Sequence, residues 1–202
     1  MVVAITGGIA SGKTTVTKQL AAGLAARVFD ADAEARRLVD DDADVRRELE
    51  RVFGPSVVGP GGQVDRPALR MIVFHDDDQR RGLERILHPR IRTAWRALVE
   101  ENLHSGSTSV LLVDIPLLYE TGAEVLLDRV VVVGCRFETQ LRRLTEIRRL
   151  DETVARKIIA SQLPLADKIS RCQHLIWNDS TSSAFEAQVN LLAAHLRQLL
   201  AR

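Results

Sequence analysis

Apolar residues in this chain fall into short unbroken runs separated by longer stretches with helical spacing. Val2-Val3-Ala4-Ile5, Val110-Leu111-Leu112-Val113 and Val130-Val131-Val132-Val133 carry no polar interruption, as strands covered on both faces do. Arg27-Val28-Phe29 is a shorter segment of the same kind, and Leu175-Ile176-Trp177 is a fifth. Between these runs the apolar positions recur every three or four residues. Val16, Leu20 and Leu24 follow the first run, and Phe185, Val189, Leu192, Leu196 and Leu199 mark a last helix for which Ser182 or Ser183 is the expected cap. Strands alternating with helices predict an α/β protein whose parallel five-stranded sheet has helices on both sides. The stretch 53–108 is mostly helical, is broken by Gly59-Pro60-Gly61-Gly62, and is too long for a simple crossover. It reads as an inserted helical subdomain.

The most informative polar pattern sits between the first strand and the first helix. Gly7-Gly8-Ile9-Ala10-Ser11-Gly12-Lys13-Thr14 fits G-x-x-x-x-G-K-T, and its strand–loop–helix setting makes it a phosphate cradle. Glycines let backbone N–H groups converge on an anion, and the positive end of the following helix points at the same spot. Lys13 supplies a charge for the outer phosphates, and Thr14 supplies a hydroxyl suited to Mg²⁺.

Composition narrows the class. The chain has 202 residues, 46% hydrophobic, with a formal net charge of +1. That length suits one domain with insertions. The small charge gives no broad electrostatic grip on nucleic acid. No apolar run approaches a membrane span, and Met1 leads almost directly into the first strand, so neither a membrane segment nor a signal is expected. Cys135 and Cys172 lack metal-type spacing and read as reduced thiols. A soluble cytoplasmic protein is expected.

Ligands of open parallel sheets bind beyond the carboxyl ends of the strands. Three polar signals lie there: the glycine loop, Asp30-Ala31-Asp32, and Asp114-Ile115-Pro116. Asp32 and Asp30 are candidates for a base that orients an acceptor hydroxyl, with helix capping as the alternative for both. Asp114 is placed as the metal-supporting acid of phosphate-loop enzymes is. The segment 136–171 carries nine basic residues against five acids, which fits a helical lid whose arginines meet a triphosphate. Residues 30–50 lean the other way, with nine acids against four arginines. Asp40-Asp41-Asp42 and Asp76-Asp77-Asp78 read as solvated turns or helix caps.

On these residues the sequence resembles the dephospho-CoA kinases. The likeness runs through Thr6–Thr14 and Phe29-Asp30-Ala31-Asp32, then Val64-Asp65-Arg66-Pro67-Ala68-Leu69 and Leu83-Glu84-Arg85-Ile86-Leu87-His88-Pro89-Arg90-Ile91-Arg92. It continues in Asp114-Ile115-Pro116-Leu117-Leu118-Tyr119-Glu120 and Gln140-Leu141-Arg142-Arg143-Leu144. The resemblance implies a three-layer α/β/α P-loop kinase fold with a helical substrate-binding insertion and a helical lid. It implies transfer of the ATP γ-phosphoryl group to the ribose 3′-hydroxyl of dephospho-coenzyme A, with Mg²⁺ as cofactor, in a monomer or small homo-oligomer. Asp32 would be the base, assisted by Lys13 and Arg143, with Arg148 able to substitute for a second lid arginine if the helix rotates or frays. Gly8, Ala10, Ser11, Gly12, Lys13, Thr14, Thr15 and Asn178 would bind ATP, and Thr14 and Asp114 would serve the metal. Arg66, His88, Pro89, Arg92, Leu117, Leu118, Tyr119 and Glu120 would line the acceptor site with Asp32. Two positions depart from the family pattern. Ile147 occupies the slot of a second lid arginine, next to Arg148, and Gln173 replaces a carboxylate.

Two other readings share the loop. One is a small-molecule kinase of the same architecture acting on a nucleotide, a sugar acid or a shikimate-like acceptor. The other is a guanine-nucleotide switch protein, which requires Asn-Lys-x-Asp after a late strand. Trp177-Asn178-Asp179-Ser180 lacks that lysine.

Overall fold

The computed structural model describes residues 1–104, 109–123 and 127–201. The chain divides into two compact units, Met1–Asp30 with Val99–Arg202, and Ala31–Leu98.

The first unit is built on a five-stranded parallel sheet. Its strands are β1 (Val2–Gly7), β2 (Arg27–Asp30), β3 (Leu111–Asp114), β4 (Arg129–Gly134) and β5 (His174–Trp177), in the spatial order β2-β3-β1-β4-β5. All five runs read from the sequence are strands. β1 is central and buried along its whole length, which is why it tolerates no polar alternation. Val3, Ile5, Leu112, Val131, Val133 and Ile176 form one core with Val16 and Leu20 of α1 (Lys13–Leu24) and with Phe185, Val189, Leu192 and Leu196 of the last helix. The alternate residues Val2, Ala4, Leu111, Val113, Val130 and Val132 are buried as well, so apolar side chains are needed on both faces. Strand order reverses about β1, with β3 on one side and β4 on the other, and such a switch point opens a crevice beyond the strand ends. The cap of the last helix differs from expectation: Thr181, not Ser182 or Ser183, accepts the Ala184 N–H at 3.2 Å.

The second unit is helical: α2 (Ala31–Asp41), α3 (Ala43–Phe53), α4 (Arg66–His75) and α5 (Asp77–His104) as far as Leu98. Leu38, Val45, Leu49, Val57, Leu69, Ile86 and Leu87 form its core. The acidic triplets cap helices. Asp42 accepts the N–H groups of Asp44 and Val45 at 2.9 and 3.0 Å, and Asp76 accepts those of Asp78 and Gln79 at 2.7 and 3.1 Å. The glycine-rich turn closes with Gly59 N–H donating to the Gln63 carbonyl at 2.8 Å. Pro89 lies inside α5, where it removes one backbone donor without ending the helix.

Beyond β5 in the first unit come no further strands among the described residues. Between β4 and β5 lie α6 (Phe137–Arg142), a π-helical turn (Arg143–Ile147), α7 (Glu152–Ala160) and α8 (Leu165–Ser170), and α9 (Ser182–Leu200) closes the chain.

Candidate active site

β1 runs into the glycine loop, and α1 begins at Lys13. Gly12 holds φ +102°, a conformation that L side chains rarely adopt, and a Cβ there would fall on the Asn178 side-chain amide. A Cβ on Gly8 would likewise fall on the Gln140 amide. These close approaches exist because the carbonyls of the loop are held one after another. Lys13 Nζ donates to Gly8 O at 2.9 Å and to Gly7 O at 3.3 Å. Gln140 Nε2 donates to Ile9 O at 2.7 Å, Arg143 Nη1 to Ala10 O at 2.9 Å, and Asn178 Nδ2 to Ser11 O at 2.7 Å. Five consecutive carbonyls thus have side-chain donors. The Ile9 N–H is also held, by Gln162 Oε1 at 2.9 Å.

Two oxygen groups suited to a hard cation flank this loop. Thr14 is exposed in the first turn of α1. Asp114 ends β3 in register with Ile5 of β1 and Asp30 of β2. Thr17 Oγ1 lies 2.9 Å from Asp114 Oδ2 and 3.1 Å from Lys13 O, which fixes the carboxylate against the start of α1. Among the described residues no cluster of three or more His, Cys, Asp or Glu could hold a metal alone. The donor set fits Mg²⁺, which is held by one or two protein oxygens together with phosphates and water.

The segment after β3 is fastened to the segment before β5. Lys168 of α8 is fully buried, and its ammonium lies 2.8 Å from Glu120 Oε1. The same ammonium donates to the Pro116 carbonyl at 3.3 Å, and that carbonyl also accepts from the Thr6 hydroxyl at 3.1 Å. Glu120 Oε1 accepts the Leu163 N–H at 2.9 Å. Arg171 stands over the Tyr119 ring, 4.2 Å from its centroid. Leu118 and Tyr119 are buried, while Leu117 is half-buried. Lys168 therefore differs from the solvated charges around it: Arg156 pairs with Glu152 on an open face.

Arg143 joins the two sides of the loop's support, since its Nη2 donates to the Asn178 carbonyl at 3.1 Å. Its Nη1 lies 3.9 Å from Cys135 Sγ. Burial pushes the Cys135 thiol up to about 11, with Arg143 opposing the shift, so this cysteine is a packed apolar group rather than a nucleophile. Ile147 is exposed. Arg148 N–H donates to the Arg143 carbonyl at 3.2 Å, a five-residue closure. Gln173 extends the sheet: its side-chain Oε1 accepts the Val130 N–H at 2.8 Å and its own N–H donates to the Val130 carbonyl at 3.1 Å.

In the helical unit, Asp32 is exposed in the first turn of α2, two residues after the end of β2. Arg66 pairs with Asp40 and donates to the Arg36 carbonyl. His88 and Pro89 are consecutive on α5, and Arg92 follows one turn later. Burial lowers the His88 pKa below the ordinary histidine value, favouring the neutral ring.

A parallel sheet whose strand order reverses at a glycine loop, with Lys13 opening the following helix and Asp114 at a strand end, defines a P-loop kinase. The family model for dephospho-CoA kinase matches residues 1–184. A dephospho-CoA kinase of Bacillus cereus is 38% identical over 192 residues, 95% of either chain. The crystal structure of TT1252 from Thermus thermophilus is 31% identical with a TM-score of 0.77, covering 98% of this chain and 97% of that one. Dephospho-CoA kinase from Campylobacter jejuni is 26% identical with a TM-score of 0.71, covering 98% and 97%. The chain belongs to the dephospho-CoA kinase family.

Nothing local in the sequence marks Gln140, Gln162 or Lys168 as site residues. Gln140 stands inside a family-like block, but no spacing rule marks an amide as a loop holder.

Proposed function

We propose that this chain transfers the γ-phosphoryl group of ATP to the ribose 3′-hydroxyl of dephospho-coenzyme A, giving coenzyme A and ADP. The supporting observation is the glycine loop with its five held carbonyls, in a chain matched nearly throughout by the dephospho-CoA kinase family. A planar trans peptide points its N–H opposite its C=O. Carbonyls tied down by Gln140 and Asn178 therefore leave the next N–H groups, those of Ala10 and Gly12, free to face an anion. Lys13 adds charge where the transferring group becomes most negative.

Asp32 serves as the base that orients the 3′-hydroxyl and takes its proton as the O–P bond forms. Asp30, one residue inside the sheet, is the alternative. Thr14 would hold Mg²⁺ and Asp114 would support it, and the ion would supply neutralisation of phosphate charge. Arg143 and Arg148 supply the lid's positive charge. His88, Pro89, Arg92 and Arg66 of the helical unit, with Leu117 to Glu120 after β3, serve the acceptor. The helical insertion and the lid act within one kinase domain.

The test is ADP release from Mg-ATP over a panel of acceptors: dephospho-coenzyme A, shikimate, gluconate and nucleoside monophosphates. Dephospho-coenzyme A is expected to accelerate release far above water and above every other acceptor. Release no faster than with water would overturn the assignment.

A further inference from the structure

The geometry points to Gln140 as a positioning residue for nucleotide binding: its amide holds the Ile9 carbonyl toward α6, and this aims the Ala10 N–H into the phosphate cradle. The inference rests on the loop's holding the triphosphate, and it adds a residue that acts on the nucleotide only through the backbone.

Gln140 is 5% exposed, and its Nε2 lies 2.7 Å from Ile9 O. Within the Ile9–Ala10 peptide that bond leaves the Ala10 N–H facing away from α6. Neither the Ala10 nor the Gly12 N–H has a hydrogen-bond partner among the described residues. Ala10 also carries φ +57°, a left-handed conformation disfavoured for any residue with a Cβ. The two carbonyls flanking that φ are those of Ile9 and Ala10, and Gln140 and Arg143 hold both. The strain is therefore maintained from outside the loop, as strain at a binding site must be. Glycine at position 8 is part of the same device, because a Cβ there would strike the Gln140 amide.

The polarity of the contact carries the argument. Gln140 acts as a donor. Gln162 grips the same residue with the opposite sense, accepting the Ile9 N–H at 2.9 Å. Replacing each glutamine by glutamate keeps its shape but has different consequences. At 140 the substitution sets a carboxylate oxygen against a carbonyl oxygen, so the Ile9–Ala10 peptide loses its anchor. At 162 it retains an acceptor for the Ile9 N–H and serves as the charge control.

The experiment measures Mg-ATP affinity by calorimetry and the nucleotide-free melting temperature for Gln140→Glu, Gln140→Met and Gln162→Glu. Gln140→Met removes the donor without adding charge. Both substitutions at 140 are expected to weaken Mg-ATP about tenfold or more, the worth of one hydrogen bond to a charged phosphate that is lost when the Ala10 N–H is no longer aimed into the cradle. Gln140→Met should keep a melting temperature near that of the parent. The affinity loss in Gln162→Glu is expected to be several-fold smaller than in Gln140→Glu. Lowering the pH should partly restore Gln140→Glu, because a protonated carboxyl can donate again. Parent-like Mg-ATP affinity in Gln140→Met, or equal losses in the two glutamate variants, would overturn the inference. So would unfolding of both 140 variants without nucleotide, since the residue would then hold the fold and not the cradle. Mg-ATP binding needs no acceptor, so failure of the dephospho-coenzyme A assignment would appear in ADP release and leave this comparison intact.

Discussion

The backbone N–H of Arg148 closes on the carbonyl of Arg143, five residues earlier, at 3.2 Å. In an α-helix that closure spans four residues, and the residue one turn after Arg143 would be Ile147. The π turn inserts one residue into the turn. Arg148 thereby takes the backbone position that a residue four further on has in a regular helix. Ile147 is left exposed to solvent. The backbone of Arg148 therefore sits one wide turn beyond that of Arg143. We expect Arg148→Ala to lower kcat by tenfold or more, as loss of charge stabilisation at a transferring phosphoryl group does. Arg149→Ala should change kcat much less. Steady-state kinetics of the two variants check this, and equal small effects would remove Arg148 from the lid.

Asp32 is assigned the proton of the acceptor hydroxyl. Asp32→Asn is expected to reduce kcat by about 10²-fold or more, with Mg-ATP affinity unchanged in calorimetry. The matching Asp30→Asn variant should lose less. A reversal of that order would move the base to the residue that ends β2.

Lys168 is fully buried against a carboxylate that is only partly so. Removing Lys168 leaves the Glu120 carboxylate and the Pro116 carbonyl without their buried donor. Lys168→Ala should cost about 2 kcal/mol in urea unfolding, the worth of hydrogen bonds to a charged group. Lys168→Met combined with Glu120→Leu should recover most of that loss, because an apolar pair needs no compensation. Non-recovery would mean that the Pro116 carbonyl and the Leu163 N–H, which share this brace, dominate its energy.

His174 on β5 has its pKa lowered first by burial, then by His195 and Arg129, and the His195 ring lies 5.3 Å away. Its folded state therefore binds a proton less readily than the unfolded chain. The stability it contributes is present above the ordinary histidine value of 6.5 and is lost as pH falls below it. Melting temperatures across pH 8 to 5 should drop less steeply in His174→Gln than in the parent. Parallel curves would show that the ring is equally basic in both states.

Sequence patterning exposed much of this architecture because the informative residues act locally. Unbroken valine runs need two covered faces, and the glycine loop needs the strand and helix that flank it, so all of these are readable within a few positions. Asp42 and Asp76 behave the same way, capping helices whose N–H groups lie two or three residues on. What periodicity does not carry is partnership across long separations. Lys168 looks like one more lid cation until Glu120, 48 positions earlier, is seen beside it. Gln173 seems to lack a carboxylate's function until its bond to Val130 shows it serving the sheet. The π turn is equally silent, since a hydrogen bond of one extra residue leaves no mark in composition. Thr181 displaced the expected serine caps by a single position, within the usual uncertainty of helix ends.

The holders of the phosphate loop come from widely spaced stations along the chain: Gln140, Arg143 and Asn178. A ribosome that has released only the first hundred residues has delivered the whole glycine motif but none of these three braces. Until Asn178 has emerged, the Ser11 carbonyl has no side-chain donor, so the loop's full set of braces is completed some 165 residues after the motif itself has been made.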